Sequence, residues 1–385
     1  MKNETLRVLM VTDVYFPRIN GVSTSIDTFR DDLARQGVGV GLVAPEYPES
    51  QAAGAAWRIP SRRLPFDPED RLMRWGPLMH KVDALARDGV DLIHVQTPFA
   101  AHYAGFRAAR RHRLPVVATY HTHFEEYIDH YLPLMPRPVL RGIARGIARN
   151  QCNGLDAVVV PSLAMRDKLE EYGVTAPMHV LPTGIPAGRF EGGSRERFRG
   201  QHSIAPTRPV ALFVGRVAHE KNIGFLLDAL SHAVRHVDAL LVIAGEGPAL
   251  PELRHRVVRL GLGRHVMFVG YLDRKTELPD CYAAADVFVF ASHTETQGLV
   301  LLEAMAAGLP VYGLARMGTR DIIEPERGAI AAPGDAEAFG LGLAALLSDT
   351  RRREAMSSEA RRFAAEWSST ERARHLADLY RSLAA

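Results

Sequence analysis

Residues 287–310 read VFVFASHTETQGLVLLEAMAAGLP and combine the features that predict the fold class. The first four residues are β-branched or aromatic, which favours a short strand buried on both faces. A polar loop follows, and from about Gly298 an almost uniformly apolar run favours a helix. A strand, a loop and a helix of this kind are typical of a parallel sheet that is covered by helices.

The same unit recurs along the chain and predicts an α/β fold. Short apolar strands alternate with amphipathic helical stretches, and eleven strands exceed one common open sheet, so two doubly wound domains are expected. The first group of strands is Arg7–Thr12, Val38–Ala44, Asp91–Gln96, Pro115–Tyr120, Asp156–Val160 and His179–Pro182. The second group is Pro209–Val214, Ala239–Ala244, Val266–Gly270, Asp286–Phe290 and Pro310–Gly313.

A segment rich in proline, glycine and charge separates the two groups of strands. It runs from Thr183 to Pro209 and predicts a linker over residues 186–208. The N-terminal domain would then span residues 1–185 and the C-terminal domain residues 209–365. We expect the last helix, at about 366–385, to pack back on the N-terminal domain.

Composition excludes several classes of protein. The 385 residues are 47% hydrophobic and 24% charged, and the formal net charge is +3. These values are typical of a folded globular protein and are too weakly basic for binding nucleic acid by charge alone. No apolar run of about 18 residues predicts a spanning helix, and the N-terminal sequence does not resemble a signal peptide. Two cysteines cannot form a disulfide framework, which favours a cytoplasmic location.

Two glutamates lie in the loop and helix of the opening stretch. Eight helical steps would separate Glu295 from Glu303 by about 12 Å, so the two cannot act as an acid and a base on one atom. They could instead hold two ends of an elongated ligand, while the backbone N–H groups of Gly298, Leu299 and Val300 face its phosphates. The alternative is a capped helix with one surface carboxylate, but an unpaired Glu303 would be costly to bury in this apolar helix.

Two further strand-to-helix loops carry groups that suit a phosphate. Residues 210–222, VALFVGRVAHEKN, place Arg216 and Lys221 before a helix, and a diphosphate favours such a pairing of an arginine, a lysine and a helix N-terminus. Residues 13–24, DVYFPRINGVST, place Gly21 where the backbone can approach a ligand closely. Two solvated cations and an ordinary glycine turn are the alternatives.

These three motifs, in this order, resemble retaining GT-B glycosyltransferases of glycosyltransferase family 4, over nearly the whole chain. The resemblance implies two Rossmann-like domains that face one interdomain cleft. It also implies a hexosyltransferase with a nucleotide sugar as co-substrate, bound mainly by the C-terminal domain.

The resemblance assigns roles to single residues. Glu303 would hold the hydroxyls of the donor ribose, Glu295 would contact the hydroxyls of the donor sugar, and Arg216 and Lys221 would bind the diphosphate. Gly298, Leu299 and Val300 would complete this part of the donor site. Glu246, in the turn after the strand Ala239–Ala244, would line the same site.

Two further assignments concern the N-terminal domain. Gly21 would lie on the phosphate and acceptor side of the cleft. His121 follows the strand Pro115–Tyr120, where the family has a histidine near the donor sugar, and would be catalytic together with Glu295. The surrounding segment also contains His123 and His130, but it lacks HExxH spacing and the chain has no Asp-x-Asp. We therefore expect no metal and no other cofactor.

A basic segment of the first domain favours a membrane partner. Arg137, Arg141, Arg145 and Arg149 are each four residues apart and form one stripe of a helix, while Leu140, Ile143 and Ile147 lie on an apolar face. Such a helix suits an anionic membrane surface, although it could equally be the solvated side of a packed helix.

Taken together, these observations predict a glycosyltransferase that is peripheral on the inner face of the cell membrane. It would move a hexose, with a UDP-glucose-like donor favoured, to a lipid acceptor such as 1,2-diacylglycerol, as do the glucosyl-, mannosyl- and sulfoquinovosyltransferases that build glycolipids. A GDP-mannose-dependent α-mannosyltransferase is the first alternative. A nucleotide-sugar epimerase and a non-catalytic peripheral membrane scaffold are alternatives from other classes.

Overall fold

The computed structural model describes residues 5–48, 56–63, 71–121 and 137–385. The chain divides into two compact units. Unit 1 comprises residues 1–184 and 369–385, and unit 2 comprises residues 185–368.

Unit 1 is an α/β layer structure. Its strands are β1 (Leu6–Val11), β2 (Val38–Pro45), β3 (Ala56–Ile59), β4 (Ser61–Arg63), β5 (Arg71–Met73), β6 (Leu92–Val95), β7 (Val116–Thr119), β8 (Ala157–Val160) and β9 (Met178–Val180). Its helices are α1 (Gly21–Arg35), α2 (Trp75–Arg87), α3 (Ala100–His112), α4 (Arg137–Asn153), α5 (Leu163–Glu171) and, from the end of the chain, α14 (Ser369–Ala384).

Unit 2 repeats this organisation. Its strands are β10 (Val210–Val214), β11 (Leu240–Ala244), β12 (Val266–Gly270), β13 (Val287–Phe290), β14 (Val311–Gly313) and β15 (Ala329–Ala331). Its helices are α6 (Arg195–Gln201), α7 (Ile223–Ala233), α8 (Leu250–Arg259), α9 (Glu277–Ala284), α10 (Leu299–Ala306), α11 (Arg320–Ile323), α12 (Ala336–Ser348) and α13 (Thr350–Ala365).

Each unit is built on one parallel sheet, and the order of its strands determines where a ligand can bind. The sheet of unit 1 has the order β3-β2-β1-β6-β7-β8-β9, and that of unit 2 the order β12-β11-β10-β13-β14-β15. The order changes direction at β1 and at β10. In doubly wound sheets ligands bind beside such a switch point, at the carboxyl ends of the strands. The loops after β1, β6, β10 and β13 therefore lie where a ligand is expected to bind.

The described residues contain all eleven predicted strands and four further strands that are not evident from the sequence. β3, β4, β5 and β15 have only three or four residues, and β4 reads Ser-Arg-Arg. β4 and β5 form a separate antiparallel pair. Such short or charged segments carry too little apolar pattern to be predicted as strands.

Residues 186–208, which the composition predicts to be a linker, belong to unit 2. They include α6, and Phe190, Phe198 and Ile204 are buried in the core of the unit. Three arginines of the segment are paired within the unit: Arg197 pairs with Asp280, and Arg195 and Arg199 pair with Asp286. Pairing with residues more than 80 positions away allows a charged, glycine-rich segment to pack.

The C-terminal helix α14 lies in unit 1. Its apolar side chains join the core formed by β1, β2 and α1, and Tyr380 is fully buried there. The Tyr380 hydroxyl lies 2.6 Å from His94 Nδ1, and Thr119 Oγ1 lies 2.7 Å from His94 Nε2. Burial lowers the pKa of His94 to about 3, so the imidazole is neutral at pH 7.

Candidate active site

The loops after β10 and β11 are in direct backbone contact. Val217 N donates to Glu246 O over 2.8 Å. Gly245 has a φ of +133°, and a Cβ at this position would lie 2.0 Å from Gly215 O. Only glycine allows this approach. The exposed Glu246 is thereby fixed beside the loop that carries Arg216.

The loops after β10 and β13 are joined by an ion pair between two predicted site residues. Lys221 Nζ lies 2.6 Å from Glu295 Oε2, and about four-fifths of each side chain is buried. Ser292 Oγ donates to Glu220 O over 3.1 Å, and Asn222 Nδ2 donates to Ala291 O over 3.2 Å. These bonds place the Lys221 ammonium and the Glu295 carboxylate at the switch point of the sheet.

Backbone contacts also fix the start of α10. Gly298 precedes the helix with a φ of +94°, a conformation that favours glycine. Gly318 N donates to Glu295 O over 2.9 Å, and a Cβ on Gly318 would lie 2.0 Å from Thr296 O. Leu299 and Val300 then form the first turn of α10, where N–H groups have no acceptor within the helix itself. The arrangement can present positive dipole ends to a phosphate.

Glu303 lies in α10 and is 2% exposed. Its carboxylate is paired: Arg274 Nη2 lies 2.5 Å from Oε1, and Tyr282 Oη donates to Oε2 over 3.1 Å. Burial, together with the Glu303 charge, raises the pKa of Tyr282 well above its ordinary value, so the phenol stays protonated. Arg274 and Tyr282 were not identified as site residues from the sequence.

In unit 1, His121 follows β7, and Gln96 follows β6. His121 Nε2 lies 2.9 Å from Gln96 Oε1. Desolvation lowers the pKa of His121 to about 4, so the ring is neutral at pH 7. A neutral ring that donates from Nε2 leaves Nδ1 as an acceptor. Gln96 is 4% exposed and was not singled out in the sequence.

Gly21 begins α1 and is exposed to solvent. Asn20 caps this helix, because its Oδ1 accepts from Ser23 N over 2.8 Å. Within the described part of the chain, no atom lies within 4 Å of where a Cβ of Gly21 would be. Packing therefore does not require glycine here, whereas it does at Gly245 and Gly318.

Asp13 is a buried carboxylate that the sequence prediction did not include. It lies after β1 and accepts from Thr97 Oγ1 over 2.7 Å and from Ala101 N at the start of α3. Burial raises its pKa to about 6 despite these hydrogen bonds. All its described contacts serve to hold the N-terminus of α3 against β1.

The described ranges contain no cluster of three or more metal-ligating side chains. Two of the histidines considered in the sequence, His123 and His130, lie outside those ranges.

Helix α4 carries the four arginines of the predicted membrane face. Leu140, Ala144, Ala148 and Cys152 are its buried side. Val139, Ile143 and Ile147 are 48%, 40% and 37% exposed, so three aliphatic side chains in an i, i+4 row face solvent.

The arginines flank the buried row on the side away from the three exposed aliphatic side chains. Arg141, Arg145 and Arg149 are exposed, and the Arg145 guanidinium also lies 5.4 Å from the centre of the Tyr172 ring. Arg137 begins the helix, and its side chain is outside the description. Among the described helices, none combines the length and the hydropathy that crossing a bilayer requires.

Comparisons with known proteins agree with this architecture. The model of the family "Glycosyltransferase Family 4" matches residues 19–189, and that of "Glycosyl transferases group 1" matches residues 194–363. An alpha-monoglucosyldiacylglycerol synthase of Streptococcus pneumoniae is 33% identical over 321 residues, which cover 80% of this chain and 70% of that protein. A GDP-mannose-dependent alpha-mannosyltransferase of Mycobacterium tuberculosis is 30% identical, with 85% of this chain and 84% of that protein covered.

A solved structure shows the same fold. The HepE protein of Anabaena, crystallised with UDP and glucose, has a TM-score of 0.79 at 20% identity, and the match covers 98% of this chain and 100% of that one. One conclusion follows from the two family models, from two relatives at 30% identity or more, and from the two parallel α/β units. The chain belongs to the family 4 glycosyltransferases and is an enzyme of that class with the GT-B fold.

Proposed function

We propose that this enzyme is a retaining glycosyltransferase that moves a hexose from a nucleotide sugar to a lipid acceptor, such as 1,2-diacylglycerol, at the cytoplasmic face of the membrane. The observation that carries the lipid part is that α4 exposes the row Val139, Ile143 and Ile147 on one flank of its buried side and its arginines on the other flank. Solvent-exposed aliphatic side chains are unfavourable in water and become favourable against acyl chains, while arginines attract anionic headgroups.

The proposed donor site lies in unit 2. Arg216 and Lys221 would bind the diphosphate together with the first turn of α10. Glu246 would line the site, Glu295 would contact the sugar, and Glu303 the ribose. The Lys221–Glu295 pair supports this assignment, because it brings an ammonium and a carboxylate together beside the switch point, where ligands bind in doubly wound sheets.

The proposed chemistry is electrostatic. Arg216, Lys221 and the α10 N-terminus would stabilise the charge that develops on the departing diphosphate. The acceptor hydroxyl would attack from the face that the diphosphate leaves, which retains the configuration, and the departing phosphate oxygen would take its proton. Neutral His121 would orient the sugar through a hydrogen bond. No step in this scheme requires a metal.

The names of the relatives support a UDP-glucose-like donor and a diacylglycerol acceptor, with GDP-mannose as the second candidate. The test is a screen of UDP- and GDP-sugars, each with diacylglycerol in anionic vesicles or with soluble acceptors, in which nucleotide release is recorded. Glu295→Gln is the inactive control. We expect nucleotide release with one of the donors, and only when diacylglycerol is supplied in anionic vesicles.

Each other outcome selects another function. Release with GDP-mannose and vesicles would establish the mannosyltransferase, and release with soluble acceptors alone would overturn the lipid assignment. Isomerised or hydrolysed sugar without any acceptor would favour an epimerase. A protein that binds vesicles but no nucleotide would be a scaffold.

A further inference from the structure

Glu303 has one charged neighbour and one neutral neighbour, and each contacts a different oxygen of its carboxylate. Arg274 pairs with Oε1 and Tyr282 donates to Oε2. A carboxylate that is 2% exposed needs such partners, because burying an unpaired charge is costly. The two neighbours come from separate elements: the loop after β12 supplies Arg274, and α9 supplies Tyr282.

Tyr282 is held rigidly. Its ring packs edge-on against Phe190, with the centroids 5.6 Å apart, and it also contacts Phe288. Asp280, on the same helix, accepts from Ser194 N over 2.7 Å and pairs with Arg197. Residues 186–208, predicted to be a linker, thus hold α9 in place through these contacts. α9 in turn fixes the position of the Tyr282 hydroxyl that contacts Glu303.

The arrangement leaves a defined capacity for a ligand. Each carboxylate oxygen can accept about two hydrogen bonds. Tyr282 uses one position on Oε2 and Arg274 one on Oε1, so one acceptor position remains on each oxygen from these contacts. Two adjacent acceptor positions match a pair of neighbouring hydroxyls, as in the cis-diol of a ribose.

We propose that Tyr282 and Arg274 are positioning residues, which orient the Glu303 carboxylate so that it binds the ribose hydroxyls of the donor. This inference rests on the proposed donor site. It adds two residues that contact the carboxylate rather than the nucleotide, and it predicts that their effect depends on the ligand's hydroxyl groups.

The test compares ribonucleotides with their deoxy forms. Calorimetry measures the affinity of the full-length enzyme for UDP and GDP and for 2′,3′-dideoxy-UDP and 2′,3′-dideoxy-GDP, which lack both hydroxyls. The variants are Glu303→Gln, Tyr282→Phe, Arg274→Gln and Arg274→Lys. Tyr312→Phe, at another buried tyrosine of unit 2, and Arg256→Gln, which breaks the ion pair with Asp228, are the matched controls.

We expect Tyr282→Phe and Arg274→Gln each to weaken ribonucleotide binding about ten-fold, the scale of one hydrogen bond to a charged group, and to leave deoxynucleotide binding nearly unchanged. Arg274→Lys keeps the charge and should retain most of the preference for ribose. A merely structural role would weaken both ligand classes alike. Should Tyr282→Phe fail to fold, the two Arg274 variants decide the question.

The possible failures are distinguishable. If Glu303→Gln abolishes the preference for ribose while Tyr282→Phe and Arg274→Gln keep it, the positioning role is wrong and the donor site stands. If the wild type binds neither nucleotide, or if Glu303→Gln keeps the full preference, the donor site is wrong and this proposal falls with it.

Discussion

The Lys221 ammonium and the Glu295 carboxylate form an ion pair with 2.6 Å between Nζ and Oε2, although 74 positions separate them in the sequence. Each side chain keeps roughly one-fifth of its surface exposed, so the pair is accessible to a ligand but largely desolvated. A charge in such a place interacts more strongly than one at the surface. A ligand that contacts the Lys221 ammonium therefore also lies next to the Glu295 carboxylate.

The first prediction concerns this pair. We expect Lys221→Ala and Glu295→Gln each to lower turnover at least about 100-fold, the scale of losing one contact to a developing charge. Initial rates of nucleotide release measure the effect. Lys168→Ala, which breaks an exposed ion pair with Glu171 in unit 1, should leave the rate unchanged. Near-normal rates in both site variants would remove the donor-site assignment.

The second prediction concerns the backbone contact between the loops after β10 and β11. A Cβ at Gly245 would lie 2.0 Å from Gly215 O, so Gly245→Ala must displace one of the loops. We expect a loss of about 2–4 kcal/mol in the free energy of unfolding, together with weaker nucleotide binding. Denaturant unfolding and calorimetry measure the two effects.

A matched glycine provides the control for that experiment. Gly263 is exposed, and within the described residues a Cβ there would meet no atom within 4 Å. Gly263→Ala should therefore change neither stability nor binding appreciably. Equal behaviour of the two variants would show that the close approach of the loops is dispensable.

The sequence predicted the strands well because buried parallel strands are continuous apolar runs. β10 and β11 are buried along their whole length and were evident from their residues alone. β4 was missed because its residues Ser-Arg-Arg are polar, and β15 because Ala-Ile-Ala contains only one large apolar side chain. The linker prediction failed because composition does not reveal that Arg197 pairs with Asp280, 83 positions away.

The candidate site was predictable where a motif is local in the sequence. Glu295 and Glu303 lie in one strand-to-helix unit, so their spacing could be read directly. Arg274 and Tyr282 could not be found in this way, because only the packing of α9 and of the loop after β12 against α10 brings them to Glu303. A buried glutamate in an apolar helix was the one available signal that such partners must exist.

The third prediction concerns pH. The pKa of His94 falls from an ordinary 6.5 to about 3 on burial, so below pH 6.5 the unfolded chain binds a proton that the folded chain does not. The stability contributed by neutral His94 is therefore present above pH 6.5 and is lost as the pH falls towards 3. Between pH 7 and pH 5 this loss amounts to about 2 kcal/mol.

Other titratable groups of unit 1 add to the same profile of stability against pH. Burial also lowers the pKa of His102 and of His121 to about 4, which has the same sign. Asp13, with its pKa raised to about 6, acts in the opposite direction, because its folded form binds a proton more readily. The contribution of His94 is therefore measured as the difference between the stability-versus-pH profiles of a His94 variant and of the wild type.

His94→Asn tests this contribution. The variant loses contacts to Tyr380 and Thr119 and should be less stable at pH 7, but its stability should fall by about 2 kcal/mol less than that of the wild type between pH 7 and pH 5. Urea unfolding at the two pH values measures both effects. His255→Asn, at an exposed histidine, is the control. Parallel profiles for wild type and His94→Asn would contradict the prediction.

The fourth prediction separates the two components of the proposed membrane surface on α4. Replacing Ile143 and Ile147 by serine removes apolar area that is available to acyl chains, so we expect binding to fall about ten-fold on all vesicles. The double variant Arg141→Glu with Arg145→Glu should bind phosphatidylglycerol vesicles more weakly, because the arginines act by electrostatic attraction to anionic headgroups. Its binding to phosphatidylcholine vesicles should weaken only slightly. Added salt should weaken the wild type and leave the arginine variant nearly unaffected.

Co-sedimentation with the two kinds of vesicle measures these effects, and urea unfolding checks that unit 1, which contains α4, stays folded. Leu341→Ser removes an equally exposed aliphatic side chain from unit 2 and should sediment like the wild type. If both α4 variants also sediment like the wild type, α4 is only the solvated face of a packed helix. If the isoleucine variant alone loses binding, insertion of aliphatic side chains rather than charge holds the enzyme to the vesicle, because only the apolar contribution is independent of the headgroup.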